Sequence, residues 1–180
     1  LTSLCDLTKL EITHRLSLDT KTAVVRLSVS VRNICEKSLL SVDTCALTIP
    51  LADHLAELQD YKGRWGYEFQ THRQTIGTAN YVRENWTGRT SHHLHPTITL
   101  LEKHTAPSSG AALGLQVGGG GRHQRRSETR ADGRRGLQAG ELLRAGEIGL
   151  LPGEVYDSPE IFLCHSSEGF NALTQQWHSL

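Results

Sequence analysis

Between Lys9 and Val31 polar and apolar side chains alternate almost without interruption, and a period of two residues confines such a segment to strands. In KLEITHRLSL, Leu10, Ile12, His14, Leu16 and Leu18 share one face while Lys9, Glu11, Thr13, Arg15 and Ser17 share the other. After Asp19-Thr20-Lys21 the pattern resumes in TAVVRLSVSV, where Val25, Leu27, Val29 and Val31 oppose Arg26, Ser28 and Ser30. Successive side chains of a strand point to opposite faces, so each segment is expected to bury one of them, and the polar break between the two marks a hairpin. His14, alone on an apolar face, reads as a hydrogen-bonded core histidine. A third run, LLSVDTCALTI, is expected to extend the meander and to end at Pro50, which has no N–H to give to a ladder. Three such strands predict an all-β chain built as an antiparallel sandwich.

Residues 51–63 read as a connection. Short strands are then expected over 64–70, 80–86, 97–102, 111–117 and 122–130, with a turn at Asp132-Gly133 and a break at Pro152-Gly153 before VYDSPEIFLCH. Only the end changes period. In SSEGFNALTQQWHSL, Phe170, Leu173, Trp177 and Leu180 recur at helical spacing behind a serine cap. The expected organisation is a β-sandwich over residues 1–165, incomplete at its start, followed by a C-terminal α-helix over 166–180.

The chain has 180 residues, enough for one domain. Its 19 Lys and Arg balance 19 Asp and Glu, so net charge gives no reason to expect nucleic acid or an anionic membrane as partner. No apolar run reaches the roughly 18 residues that suggest a spanning helix, and LTSLCDLTKL lacks the grammar of a signal peptide. Cys5, Cys35, Cys45 and Cys164 show no C-x-x-C spacing and lie in or beside apolar strand-like runs, which favours reduced thiols and a cytoplasmic location. A chain that opens at Leu1, without methionine, directly into strand-like sequence is expected to be a fragment.

Four local constellations compete for a chemical role. On a strand, His93 and His95 of SHHLHP would share a face and could chelate zinc, with His92 pointing away. Two ligands do not make a site, and a polar corner held by histidine–backbone hydrogen bonds is preferred. RHQRRSETRADGRR carries six arginines but no aromatic residue for base stacking, so the solvated face of a hairpin is favoured over a phosphate-binding ribbon. Gly118 to Gly121 are not followed by the Lys-Ser/Thr of a phosphate-cradling loop, and four glycines would weaken a strand interior. Asn85-Trp86-Thr87 matches a glycosylation sequon, which matters only in a secreted protein. No nucleophile stands beside a defensible base, so the residues themselves nominate no catalytic group; no metal or cofactor is expected on this chain either.

KGRWGYEFQTHRQ, followed by NWTGRTSHHLHPTITLLEK, resembles the N-terminal domain of bacterial α-galactosidases of glycoside hydrolase family 36. The ordered set of matching features runs through Gly63–Glu68, Arg83–Thr99, Gly110–Val117, Ala131–Gly133, Leu151–Glu160 and the closing SSEGFNALTQQWHSL. The resemblance implies a large sandwich, a supersandwich of galactose-mutarotase-like shape, packed on a (β/α)8 barrel that carries both catalytic carboxylates beyond Leu180. It implies an α-galactoside of the raffinose or melibiose type as substrate, and a homo-oligomer as the intact parent's assembly. It also puts Trp65 against the galactose ring, because the tryptophan of the G-x-W-G-x-E stretch lines that pocket in the family; an ordinary core tryptophan is the competing reading. Gly118–Gly121 depart from the family pattern. A stand-alone carbohydrate-binding or interaction module is the alternative from another class, and a histidine-bearing metalloprotein a further one.

Overall fold

A computed structural model describes residues 1–180 as fifteen strands and one helix. The larger sheet runs in the order β1 (Thr2–Cys5), β2 (Leu10–Asp19), β3 (Val24–Asn33), β15 (Ile161–Ser166), β10 (Ala112–Val117), β9 (Thr97–Glu102), β6 (Leu55–Arg64) and β7 (Tyr67–Thr75), with β14 (Val155–Asp157) also pairing with β3. A second sheet is ordered β5 (Cys45–Leu51), β12 (Arg135–Glu141), β11 (His123–Thr129) and β8 (Tyr81–Asn85). The strands β4 (Leu40–Val42) and β13 (Ile148–Leu150) form a third, two-stranded sheet. All neighbours are antiparallel, as the alternating pattern requires.

The two main sheets face each other across one core. Leu58, Ile98, Leu100, Leu115, Val117 and Ile161 of the larger sheet meet Leu137 and Ala139 of the smaller. Each fully buried large aliphatic side chain there stabilises the fold by about 1.5–3 kcal/mol relative to exposure. Cys45, Val29, Val42, Leu150 and Tyr156 close a second cluster under β4 and β13. On the outer face of the larger sheet, α1 (Gly169–His178) lays Leu173, Phe170 and Trp177 over Val24, Leu101, Ala112 and Cys164. Trp177 comes this close because β10 carries glycine beneath it. A Cβ on Gly114 would stand 2.9 Å from the indole Nε1.

The β2–β3 hairpin forms as expected, with Leu16 opposite Leu27. Its expected burial does not hold along its full length. Leu16 and Leu18 are 72% and 56% exposed, and His14 is exposed rather than held in the core, because this end of β2 has no layer packed against it. The third run does not continue the meander either. It breaks at Asp43-Thr44, β4 joining β13 and β5 pairing with β12. Pro50 lies inside β5, opposite Gly136, and is accommodated because β5 is an edge strand.

Residues 51–63, expected to be a connection, instead contain most of β6, a strand flanked by β9 and β7. Gly118–Gly121 are not strand interior but the link from β10 to β11, so the expected weakening of a strand does not arise. Gly118 is needed because a Cβ there would approach the Glu160 carbonyl oxygen to 2.8 Å. Ser166 does not cap α1. Its hydroxyl takes the Glu168 N–H, while the first helical N–H groups of Gly169, Phe170 and Asn171 donate to the carbonyls of Gly110, Ala106 and Pro107. A neighbouring loop thus does the work that the sequence assigned to a serine.

Candidate carbohydrate-contact site on an aromatic hairpin

β6 and β7 are joined by the two residues Trp65-Gly66 between the paired Arg64 and Tyr67. Gly66 takes φ +73°, which L side chains seldom adopt, and its N–H donates to Glu68 Oε1 at 2.8 Å. At this braced tip Trp65 is 86% exposed, so the structure places the indole outside the core. Tyr67 and Phe69 follow on the same hairpin, both more than half exposed. Three large aromatic rings presented to solvent by one hairpin are the feature of this molecule most suited to contacting a ligand or another surface.

The hairpin is irregular where this matters. Lys62 pairs with Gln70 and Arg64 with Tyr67, so Gly63 alone stands opposite Glu68 and Phe69 in a β-bulge. A Cβ on Gly63 would lie 2.6 Å from the Tyr67 carbonyl oxygen, which makes glycine obligatory there. The bulge holds Phe69 at φ +52°, a conformation costing an ordinary residue roughly 1 kcal/mol or more. Its ring is thereby set edge-on to His95, with centroids 5.6 Å apart, and Tyr61 approaches the same imidazole at 5.8 Å. The Thr97 N–H donates to His95 Nδ1 at 3.4 Å, so the neutral ring carries its proton on Nε2. Burial, with the nearby Arg125 guanidinium, lowers the His95 pKa below the ordinary imidazole value and favours that neutral form.

His95 is therefore separated from the other two histidines of SHHLHP. The segment is a turn closed by a Ser91–Leu94 bridge, not a strand, so His93 and His95 do not share a strand face. The rings of His92 and His93 instead lie against each other, centroids 4.1 Å apart.

Between the sheets, behind the hairpin, sits a charged cluster that sequence reasoning missed. Asp60 of β6 has no exposed side-chain surface. It accepts the Tyr81 hydroxyl at 2.7 Å and lies 3.1 Å from both His72 Nδ1 and Arg83 Nε. Arg125 of β11, 1% exposed, completes the cluster and donates from Nη1 to the Thr97 carbonyl. Burial, reinforced by the hydrogen bond to Asp60, pushes the Tyr81 hydroxyl well above its ordinary value. The arginine-rich hairpin is present as expected, on β11 and β12, but Arg125 points inward and is not part of a solvated face. The signal was available in Arg125 and Ser127, two residues apart on a strand whose intervening residue, Arg126, stays partly exposed.

The profile of the Glycosyl hydrolase family 36 N-terminal domain matches residues 4–150. The chain belongs to this family. An α-galactosidase of Escherichia coli is 35% identical to this chain over 137 residues, which make up 76% of this chain and 19% of that enzyme. Alpha-galactosidase Mel36A of Lactobacillus acidophilus is 26% identical over 157 residues, 87% of this chain and 21% of its own length. Among solved structures, the GH36 α-galactosidase AgaA of Geobacillus stearothermophilus in complex with stachyose superposes with a TM-score of 0.91 at 22% identity, covering 99% of this chain and 25% of that one. The galactosidase domain of the α-galactosidase–sucrose kinase AgaSK gives 0.90 at 21% identity, covering 98% and 24%. At such identities the structures establish the fold, an antiparallel sandwich with one C-terminal helix. The chain spans about a fifth of the length of the curated relatives it matches. No helix in it is long and apolar enough to cross a membrane.

Proposed function

We propose that this chain is the N-terminal domain of an α-galactosidase and that it presents Trp65 to the galactosyl ring of a raffinose- or melibiose-type substrate. The observation that carries this reading is the placement of Trp65, largely exposed at the tip of a hairpin whose turn and bulge are fixed by Gly66 and Gly63. An indole offers a flat apolar face to the C–H side of a pyranose and an N–H to a hydroxyl, so it orients a sugar without charge. A retaining hydrolase needs a nucleophilic and an acid/base carboxylate about 5–5.5 Å apart. In this reading both belong to a (β/α)8 barrel following residue 180, with residues 1–165 as the sandwich and 166–180 as the helix leading to that barrel. A homo-oligomeric parent in the cytoplasm fits the same reading, and the four free thiols support the compartment.

The test is activity. The full-length parent, expressed from the continuing reading frame, is expected to hydrolyse raffinose and a chromogenic α-galactoside, and the 180-residue chain alone to turn over neither. Turnover by the isolated chain, free of host enzyme, or inactivity of the parent on every α-galactoside would overturn the assignment.

A further inference from the structure

Between α1 and the outer face of the larger sheet lies an open groove of about 330 Å³. That is the lower end of the roughly 300–1,000 Å³ typical of small-molecule sites. Tyr61, Phe69 and Trp177 supply ring surface to it, and His95, Thr97, Gln116, Thr174 and, at its rim, His178 supply hydrogen-bonding groups. No carboxylate, ammonium or guanidinium group lines it. We propose that this groove is a binding site for a neutral sugar ring.

Three features favour a neutral polyol over an apolar or ionic ligand. Aromatic faces beside uncharged donors and acceptors match a pyranose, which has both C–H faces and hydroxyl edges. The polar groups are also pre-arranged. Thr97 Oγ1 donates to Gln116 Oε1 at 3.1 Å, which fixes that amide and leaves its Nε2 donors for a ligand. His95 is held as a neutral donor by the Thr97 N–H at its Nδ1. Finally, the strained backbone of Phe69, unusual for a half-exposed phenylalanine, serves to bring its ring to the groove's edge against His95. Trp177 closes the opposite side, seated over Gly114. None of these groups involves Trp65, so the groove stands or falls independently of the proposed function.

Saturation-transfer NMR on the full 180-residue chain with D-galactose, and with D-galacturonate as the charged control, tests the site. Transfer to the ring protons of galactose is expected, weaker for galacturonate. Phe69→Ala and Gln116→Leu should each weaken galactose binding by about tenfold, while Trp86→Ala should leave it unchanged, with folding of every variant verified by circular dichroism. Absence of transfer, stronger binding of galacturonate, or full binding in both groove variants would overturn the proposal. Binding lost in Trp65→Ala but retained in Phe69→Ala would place the sugar at the hairpin tip and reject the groove. Self-association through Phe69 and Trp177 without sugar binding would make the groove a contact between copies, and would equally reject it.

Discussion

Replacing Asp60 by leucine should be among the most damaging single changes this sandwich can suffer. The carboxylate has no exposed surface and is the only anion among Arg83, Arg125, His72 and the Tyr81 hydroxyl between the sheets. Removing it strands the buried Arg125 guanidinium without a counter-charge, takes the partner of the partly exposed Arg83 and leaves the Tyr81 hydroxyl without its acceptor. Breaking a buried charge pair from one side costs about 3–5 kcal/mol. In a domain of this size each kcal/mol lowers Tm by roughly 2–4 °C, so Asp60→Leu is expected to melt about 6–20 °C below the wild type. Thermal and urea unfolding followed by circular dichroism measure this. Adding Arg125→Met removes the stranded charge, so the double variant should recover part of the loss, with a coupling of at least about 1 kcal/mol. A loss under about 1 kcal/mol for Asp60→Leu, or strict additivity with Arg125→Met, would refute the account of the cluster.

The glycines that allow close approach should be intolerant for separate reasons. Gly63→Ala is expected to cost about 1–3 kcal/mol and to shift the amide resonance of Phe69, because the added carbon would stand 2.6 Å from the Tyr67 carbonyl oxygen; unchanged stability and an unmoved resonance would contradict the bulge. Gly114→Val should loosen α1, seen as faster amide exchange over residues 169–178 with β11 and β12 unaffected, since the new side chain meets the Trp177 ring; unaltered helix exchange would count against that packing. Burial raises the Cys164 thiol from the ordinary 9.0 to about 12. The folded state therefore favours the protonated thiol. The stabilisation is full below pH 9 and declines as pH rises toward 12 through ionisation in the unfolded chain, so Cys164→Ala should flatten the fall of Tm above pH 9. An unchanged slope in the variant would show that Cys164 does not contribute.

The parts of the fold legible in the sequence were those where local pattern and tertiary burial agree. Alternation in residues 10–31 gave the β2–β3 hairpin, and Asp132-Gly133 gave the turn between β11 and β12. β6 was lost because Gln59 and Asp60, both polar, are buried on opposite faces of the same strand, which erases the alternation that reveals strands. The inward turn of Arg125 was hidden for a related reason. A charge reads as solvated until its partner, Asp60, is known to lie across the sheet gap. Of the candidate site, Trp65 came from the family motif, whereas the roles of Phe69 and His95 depend on a bulge and on rings far apart in sequence. Pro50 misled in the opposite direction, since only topology tells an edge strand from a central one.

A contact between Trp65 and the sugar is best probed by Trp65→Ala in the full-length parent, with kcat/KM on raffinose and Tm measured on the same preparation. Loss of one aromatic contact should lower kcat/KM by about tenfold to a hundredfold. Because the side chain is 86% exposed in this domain, Tm should barely change. A large fall in Tm with unchanged kcat/KM in the folded fraction would instead make Trp65 a packing residue and contradict the account.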